Sequence, residues 1–226
     1  MENSLRERLF VQKARGKRQR PKLSEFHEKM AIEDIGPSEP YIEKVHFNGG
    51  YFVSSEDERL SFDDVIFKHV RFTNGDMHGA EFVDVVFDTC DFSNVQFQHA
   101  VFHRCEFRNS KLTGTDFANA KIGHTLFIEC DGKYSNFSFS GMKEVDFMSS
   151  QFMDSDFYEC HLKQVRFSEC KLDHTNFSET DMAGIDLSTN TYEQIEVTVS
   201  KIRGCIVSKE QALGFARVLG LKINEE

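Results

Sequence analysis

The sequence predicts an all-β solenoid with a square cross-section, and three observations predict it. From Phe47 to Val207, every fifth residue is apolar at 31 of 33 positions; only Asp57 and Gly132 break the row. Nineteen of the 23 phenylalanines lie on it. Neither the helical period of about 3.6 nor the strand period of 2 produces this spacing, so it is a repeat signature. Second, the residue two places before each row position is small or β-branched, as in Ala80, Val85, Cys90 and Val95. Each five-residue unit thus turns one large and one small side chain inward and three outward. Third, that small residue recurs every 20 residues. Val45, Val65, Val85, Cys105, Thr125, Val145, Val165, Ile185 and Cys205 include seven β-branched residues of nine, whereas each neighbouring set holds one of eight. Four units therefore make one coil and the row makes about eight. With a ladder spacing of about 4.8 Å, the rod is about 40 Å long.

The chain divides into three parts. Residues 1–44 form a basic arm followed by a short helix and linker. Residues 1–22 hold eight Lys or Arg against Glu2 and Glu7, and residues 23–44 hold six acids against Lys29 and Lys44. Leu23, Phe26 and Met30 have helical spacing, and Pro37 and Pro40 mark a linker. The arm reads either as a solvated tail or as a contact for a partner's acidic surface or DNA phosphates. Residues 45–207 form the repeat rod. Its two breaks, at Asp57 and Gly132, read as local loops or bulges, with Gly132 relieving crowding or permitting a positive φ. Residues 208–226 form a C-terminal helix. Ser208 and Gln211 have capping-box spacing, Ala212, Phe215, Ala216 and Leu219 recur at helical spacing, and Gly220 is a natural stop. Leu221-Lys222-Ile223 could add a short strand. Such a helix can cap the open end of the rod and protect its edge.

Units such as Thr115-Asp116-Phe117-Ala118-Asn119 and Ser155-Asp156-Phe157-Tyr158-Glu159 resemble the pentapeptide-repeat family, with its consensus A(D/N)LXX. The resemblance covers about 70% of the chain and implies a right-handed quadrilateral β-helix. The C-terminal segment resembles the dimerisation helix of the Qnr and MfpA members, which bind bacterial type II topoisomerases. That implies a homodimer through Val207, Leu213, Phe215, Ala216, Leu219, Leu221 and Ile223. It also implies a cytoplasmic protein that engages DNA gyrase or topoisomerase IV and protects it from quinolones or topoisomerase-poisoning toxins. Several Qnr members project loops from their coils, and this chain has no comparable insertion.

A square rod allows charge to be summed side by side. The side centred on 57, 77, 97, 117, 137, 157, 177 and 197 sums to −8, and the others to −3, −1 and zero. It carries Glu56, Asp57, Glu58, Asp76, Asp116, Asp156, Glu159, Glu179 and Glu196 against Arg59. Asp and Asn before a row residue also serve ordinary turn chemistry. All sides share that chemistry, however, and only one is this acidic. Such a stripe resembles a DNA duplex and would be steered onto a basic DNA-binding saddle. The competing reading is a structural or adaptor scaffold that displays its surface to another protein.

Other classes fit poorly. A net charge of −10 argues against nucleic-acid binding by the rod. No apolar run is long enough for a membrane helix, and the N-terminus lacks the apolar core of a secretory signal. All six cysteines sit two residues before a row position, which reads as small buried filler in a reducing cytosol. None has metal-ligand spacing. No histidine, glycine-loop or nucleophile-elbow motif is present. Neither a cofactor, a metal nor a catalytic residue is expected.

Overall fold

From Tyr41 onward, each paired step from coil to coil is twenty residues. Phe47 pairs in parallel with Phe67, Phe67 with Phe87, Phe87 with Phe107, and so on through Phe127 and Phe147 to Phe167. A computed structural model describes residues 18–25, 27–32, 40–53, 59–73, 75–218 and 220–222. It is a β-solenoid of about eight turns with one short C-terminal helix, Lys209–Val218. Most strands are three residues long. The exceptions are Val45–Asn48, of four, and Ser61–Lys68 and Glu81–Asp88, which each run eight residues around an edge of the square. No helix among the described residues is long and apolar enough to cross a membrane.

The phenylalanine row is the core. Vertical neighbours stack, as in Phe82–Phe102, with centroids 4.8 Å apart and planes at 4°, and Phe127–Phe147, at 4.8 Å and 6°. Neighbours within a coil meet edge-on, as in Phe87–Phe92 at 88°. Both geometries suit the ring quadrupole. Burying each Phe contributes about 1.5–3 kcal/mol relative to exposure. The small inward residues are more than filler. Cys105 Sγ, Thr115 Oγ1, Ser155 Oγ and Thr175 Oγ1 each donate to the carbonyl oxygen of the row residue 23 positions earlier, Phe82, Phe92, Gly132 and Phe152. Cys, Ser and Thr interchange here because each supplies a short donor to a buried acceptor. All six thiols are free. Burial pushes Cys90, Cys105 and Cys130 up to about 12, so they are poor nucleophiles and metal ligands.

The edges of the square depend on one backbone conformation. Among the described residues, twenty-two non-glycine residues, each two places after an inward residue, take φ between 47° and 62°. This left-handed region is costly for L-residues. An Asp or Asn before the row residue offsets part of that cost by accepting the N–H two residues on, as Asp116 does from Ala118 and Asp156 from Tyr158.

Several expectations change. Gly132 is neither a loop nor a bulge, because the ladder runs unbroken through Lys111, Asp131 and Gln151. Nor does it take a positive φ. A Cβ there would stand 2.3 Å from Cε1 of Phe152, so crowding is the reason for glycine. The other break, Asp57, lies outside the described residues, as do its neighbours Glu56 and Glu58. The solenoid also begins earlier than Val45. Tyr41–Glu43 pairs with Ser61–Asp63, and Ile42 is buried. The short helix expected around Leu23 and Met30 is absent: Glu28–Met30 is a strand parallel to Val45–Phe47. An isolated helix of that length is marginal, whereas the open end of the ladder offers immediate hydrogen bonds, such as Glu28 N to the Lys44 carbonyl at 2.9 Å. Phe26 lies outside the described residues.

Candidate protein-interaction surface

On the acidic side, the residues preceding the row stack one above another. Asp76, Gln96, Asp116, Asn136, Asp156, Asn176 and Glu196 bridge in that order, coil to coil. Carboxylates stacked at ladder spacing repel, by about 1 kcal/mol in water and more near protein. The alternating amides relieve this. Asn136 Nδ2 donates to Asp116 Oδ1 and Asn176 Nδ2 to Asp156 Oδ1, both at 3.0 Å. Gln98 Nε2 donates to Asp116 Oδ2 at 2.7 Å. Asp76, Asp116 and Asp156 are half-buried in their turns; Glu159, Glu179 and Glu196 are exposed. Glu179 accepts from the Thr198 hydroxyl at 2.9 Å. Among the described residues, none of these six acids lies in an ion pair with Lys, Arg or His. The negative potential of this side is therefore uncancelled by its neighbours.

A different edge of the rod shows the contrast. Residues 18–25 run extended along it, passing the coils in reverse order. The Arg18 guanidinium, 6% exposed, lies between Glu106 at 3.1 Å and Asp146 at 3.4 Å. Gln19 N donates to His124 Nδ1 at 3.3 Å, Lys22 N to Asp84 Oδ1 at 2.8 Å, and Ser24 N to Asp64 Oδ1 at 3.0 Å. His27 Nε2 meets Asp64 at 2.8 Å. The rod adds its own cations: Arg104 on Asp84, Arg108 on Glu106, and Arg166 on Asp146 through two bonds of 2.7 and 2.8 Å. Burial raises the Asp64 carboxyl, but the hydrogen bonds from Ser24 and His27 outweigh it and hold the group below its ordinary value. Residues 18–25 of the basic arm are thus not a solvated tail. Their acidic partner is the rod itself. Asp64, Asp84, Glu106 and Asp146 were missed in the sequence because they sit where two sides meet, so sums taken by side divide them.

The C-terminal end carries the third feature. The capping box forms: Ser208 N donates to Gln211 Oε1 at 2.8 Å, and Gln211 N to Ser208 Oγ at 3.3 Å. Gln211 Nε2 also donates to the carbonyls of Leu187 and Asn190 at 3.0 and 2.9 Å, which ties the helix onto the last coil. Gly220 takes φ 78°, as a helix stop requires. Val207 and Phe215 pack on the core, and Ala216 is half-buried. Leu213 and Leu221 are exposed, together with Val199 and Ile206, which the sequence pattern did not single out. Leu219 and Ile223 lie outside the described residues.

Comparison with known proteins bears on the fold and the family. The family model described as "Pentapeptide repeat region" matches residues 80–151 and 140–214, together more than half of the chain. Among solved structures, a trypsin-treated variant of QnrB1, a plasmid-mediated fluoroquinolone resistance protein, is 17% identical with a TM-score of 0.54, over 88% of this chain and 100% of that one. HetL, a pentapeptide repeat protein involved in heterocyst differentiation regulation in the cyanobacterium Nostoc, is 10% identical with a TM-score of 0.50, over 88% of this chain and 91% of that one. A search of curated proteins returns no sequence match. The chain belongs to the pentapeptide-repeat family.

Proposed function

We propose that this chain is a binding protein that imitates DNA, engages a bacterial type II topoisomerase, and shields it from quinolones or topoisomerase-poisoning toxins. The observation that carries this reading is the column from Asp76 to Glu196, whose acids have no cationic partner among the described residues. The buried acidic column along the arm, by contrast, is neutralised. A rod with axial negative charge suits a basic DNA-binding saddle, and its attraction falls with salt. The QnrB1-like fold agrees with the reading without deciding it. The test is supercoiling by purified gyrase with ciprofloxacin, with and without the protein. Rescue of supercoiling, or inhibition of the enzyme, is expected; neither at micromolar protein would overturn the reading. The reading places the protein in the cytoplasm with its target and assigns it no catalytic step.

The reading includes a homodimer through the C-terminal end, supported by the exposed apolar residues Val199, Ile206, Leu213 and Leu221. Two rods joined there would extend the acidic column to about 80 Å. Ile206→Glu with Leu213→Glu should give a folded monomer by light scattering, since neither side chain is in the core. A persistent dimer would count against that interface.

A second reading, an adaptor scaffold, has one observation in its favour. Each Asp of the acidic column also closes its own turn and accepts an amide or backbone N–H, so part of the column is fold chemistry.

A further inference from the structure

The edges of the rod have a rule and two exceptions. Of the 22 described non-glycine residues in the left-handed edge conformation, all are polar or charged except Tyr134 and Phe139. They are 62% and 50% exposed. Phe139 is also the one phenylalanine between residues 47 and 207 that is off the row. Neither residue is needed for the fold: Asn94, Asn109 and Asn119 hold equivalent edges. Large apolar side chains at strained, solvated positions call for a reason outside the core.

Their placement supplies one. Tyr134 and Phe139 stand at the two edges that bound a single side of a single coil, and that side, residues 135–138, belongs to the acidic face. Tyr158 on the next coil meets the Phe139 ring edge-on, with centroids 5.5 Å apart. Between the two edges the column presents Asn136 rather than an acid. From Asp76 to Glu196 the column has seven rungs, and Asn136 is the fourth. An uncharged window framed by aromatics thus occupies the centre of a negatively charged stripe. This is the anatomy of a protein-binding hot spot, with an aromatic anchor at the centre and a charged rim that excludes water and sets orientation.

We infer that Tyr134, Phe139 and Tyr158 anchor the acidic face in a protein partner whose basic surface surrounds an apolar recess. The inference rests on the proposal that the acidic face is the docking surface. The neighbouring carboxylates Asp116 and Asp156 exclude a nucleic acid that would stack on the rings, because its phosphates would be repelled. The carboxylates supply attraction at a distance and the rings supply residence time, so the two groups separate kinetically.

The test uses the full chain and purified gyrase in a surface-binding assay. Phe139→Asn alone, and with Tyr134→Asn, should keep the circular dichroism spectrum and melting temperature, since Asn suits these edges. Affinity should fall about 10- to 30-fold, mainly through faster dissociation, with the salt dependence of association unchanged. Phe139→Tyr should restore most of it. If the parent chain binds gyrase and the Asn variants bind equally well, the anchor is wrong and the topoisomerase reading stands. If the parent chain does not bind gyrase, both fail. If single-stranded DNA binds the parent chain and not the variants, or if the variants lose only self-association, the rings serve another purpose and the inference is overturned.

Discussion

Two columns of carboxylate run along the same rod and meet opposite fates. On the arm-covered edge, Asp64, Asp84, Glu106 and Asp146 are buried, and each is held by a cation or a backbone N–H of the arm. On the acidic face, Asp76, Asp116 and Asp156 stand half in solvent and are spaced by amides. The first arrangement holds the molecule together. The second leaves a field extending into solvent. The difference teaches that charge on a solenoid is assigned by its partners and not by its residue type. One Asp in the repeat is a rivet and another, one edge away, stands half in solvent.

The sharpest way to break this comparison is to make one substitution on both columns. Asp146→Lys would face Arg18 and Arg166 with a third cation in a buried setting. It should destabilise the protein by about 3–5 kcal/mol, as loss of one partner does in buried ion pairs. Asp156→Lys loses a turn bond and a bond from Asn176 and should cost about 1 kcal/mol, while weakening any gyrase effect far more. Urea unfolding of the two variants side by side checks this, and equal losses would erase the distinction. A smaller effect is expected from Arg18→Ala. Removing one charge-assisted pair loosens the arm by about 1.5–3 kcal/mol, so trypsin should cut after Lys22 about 10- to 150-fold faster, provided that cleavage tracks the open population. An unchanged rate would mean that the arm is held by its backbone bonds alone.

The smallest effect is that of pH. The Asp64 carboxyl is held below its ordinary value of 3.8, so docking favours its ionised form. Its contribution is full above that value and is lost as pH falls through the lower folded-state value. Exchange of the Ser24 amide should therefore stay slow from pH 7 down to about 4 and accelerate only below. Loss of protection between pH 7 and 5 would contradict this origin.

The rod was legible because its determinants are local and periodic. A row such as Phe82, Phe87, Phe92 and Phe97 states its own packing, and the 20-residue recurrence of Val65 and Val85 states the coil length. The acidic face followed by counting. The arm was illegible for the opposite reason. Its bonds and ion pairs join residues 40 to 128 apart in sequence, between a segment without periodicity and acids divided between two sides. Leu23, Phe26 and Met30 suggested a helix because spacing alone cannot register the open ladder beside which Glu28–Met30 lies. At the C-terminus the helix and its capping box followed local rules and formed as expected. Which of its apolar residues turn outward depended on how the helix meets the last coil: Phe215 packs inward while Leu213 is exposed.

A rod of near-identical coils has a folding hazard that a globular domain lacks. A coil can dock one step out of place and still find a ladder to pair with and rings to stack on. Gly132 and Phe152 make such a slip detectable. The Phe152 ring fills the space that the absent Gly132 side chain leaves. Set one coil out, over Leu112 in place of Gly132, it would meet a side chain where the native pair leaves room. The pair works as a key and its lock midway along the chain, fixing which coil follows which, so one missing side chain gives a run of near-identical coils a fixed register.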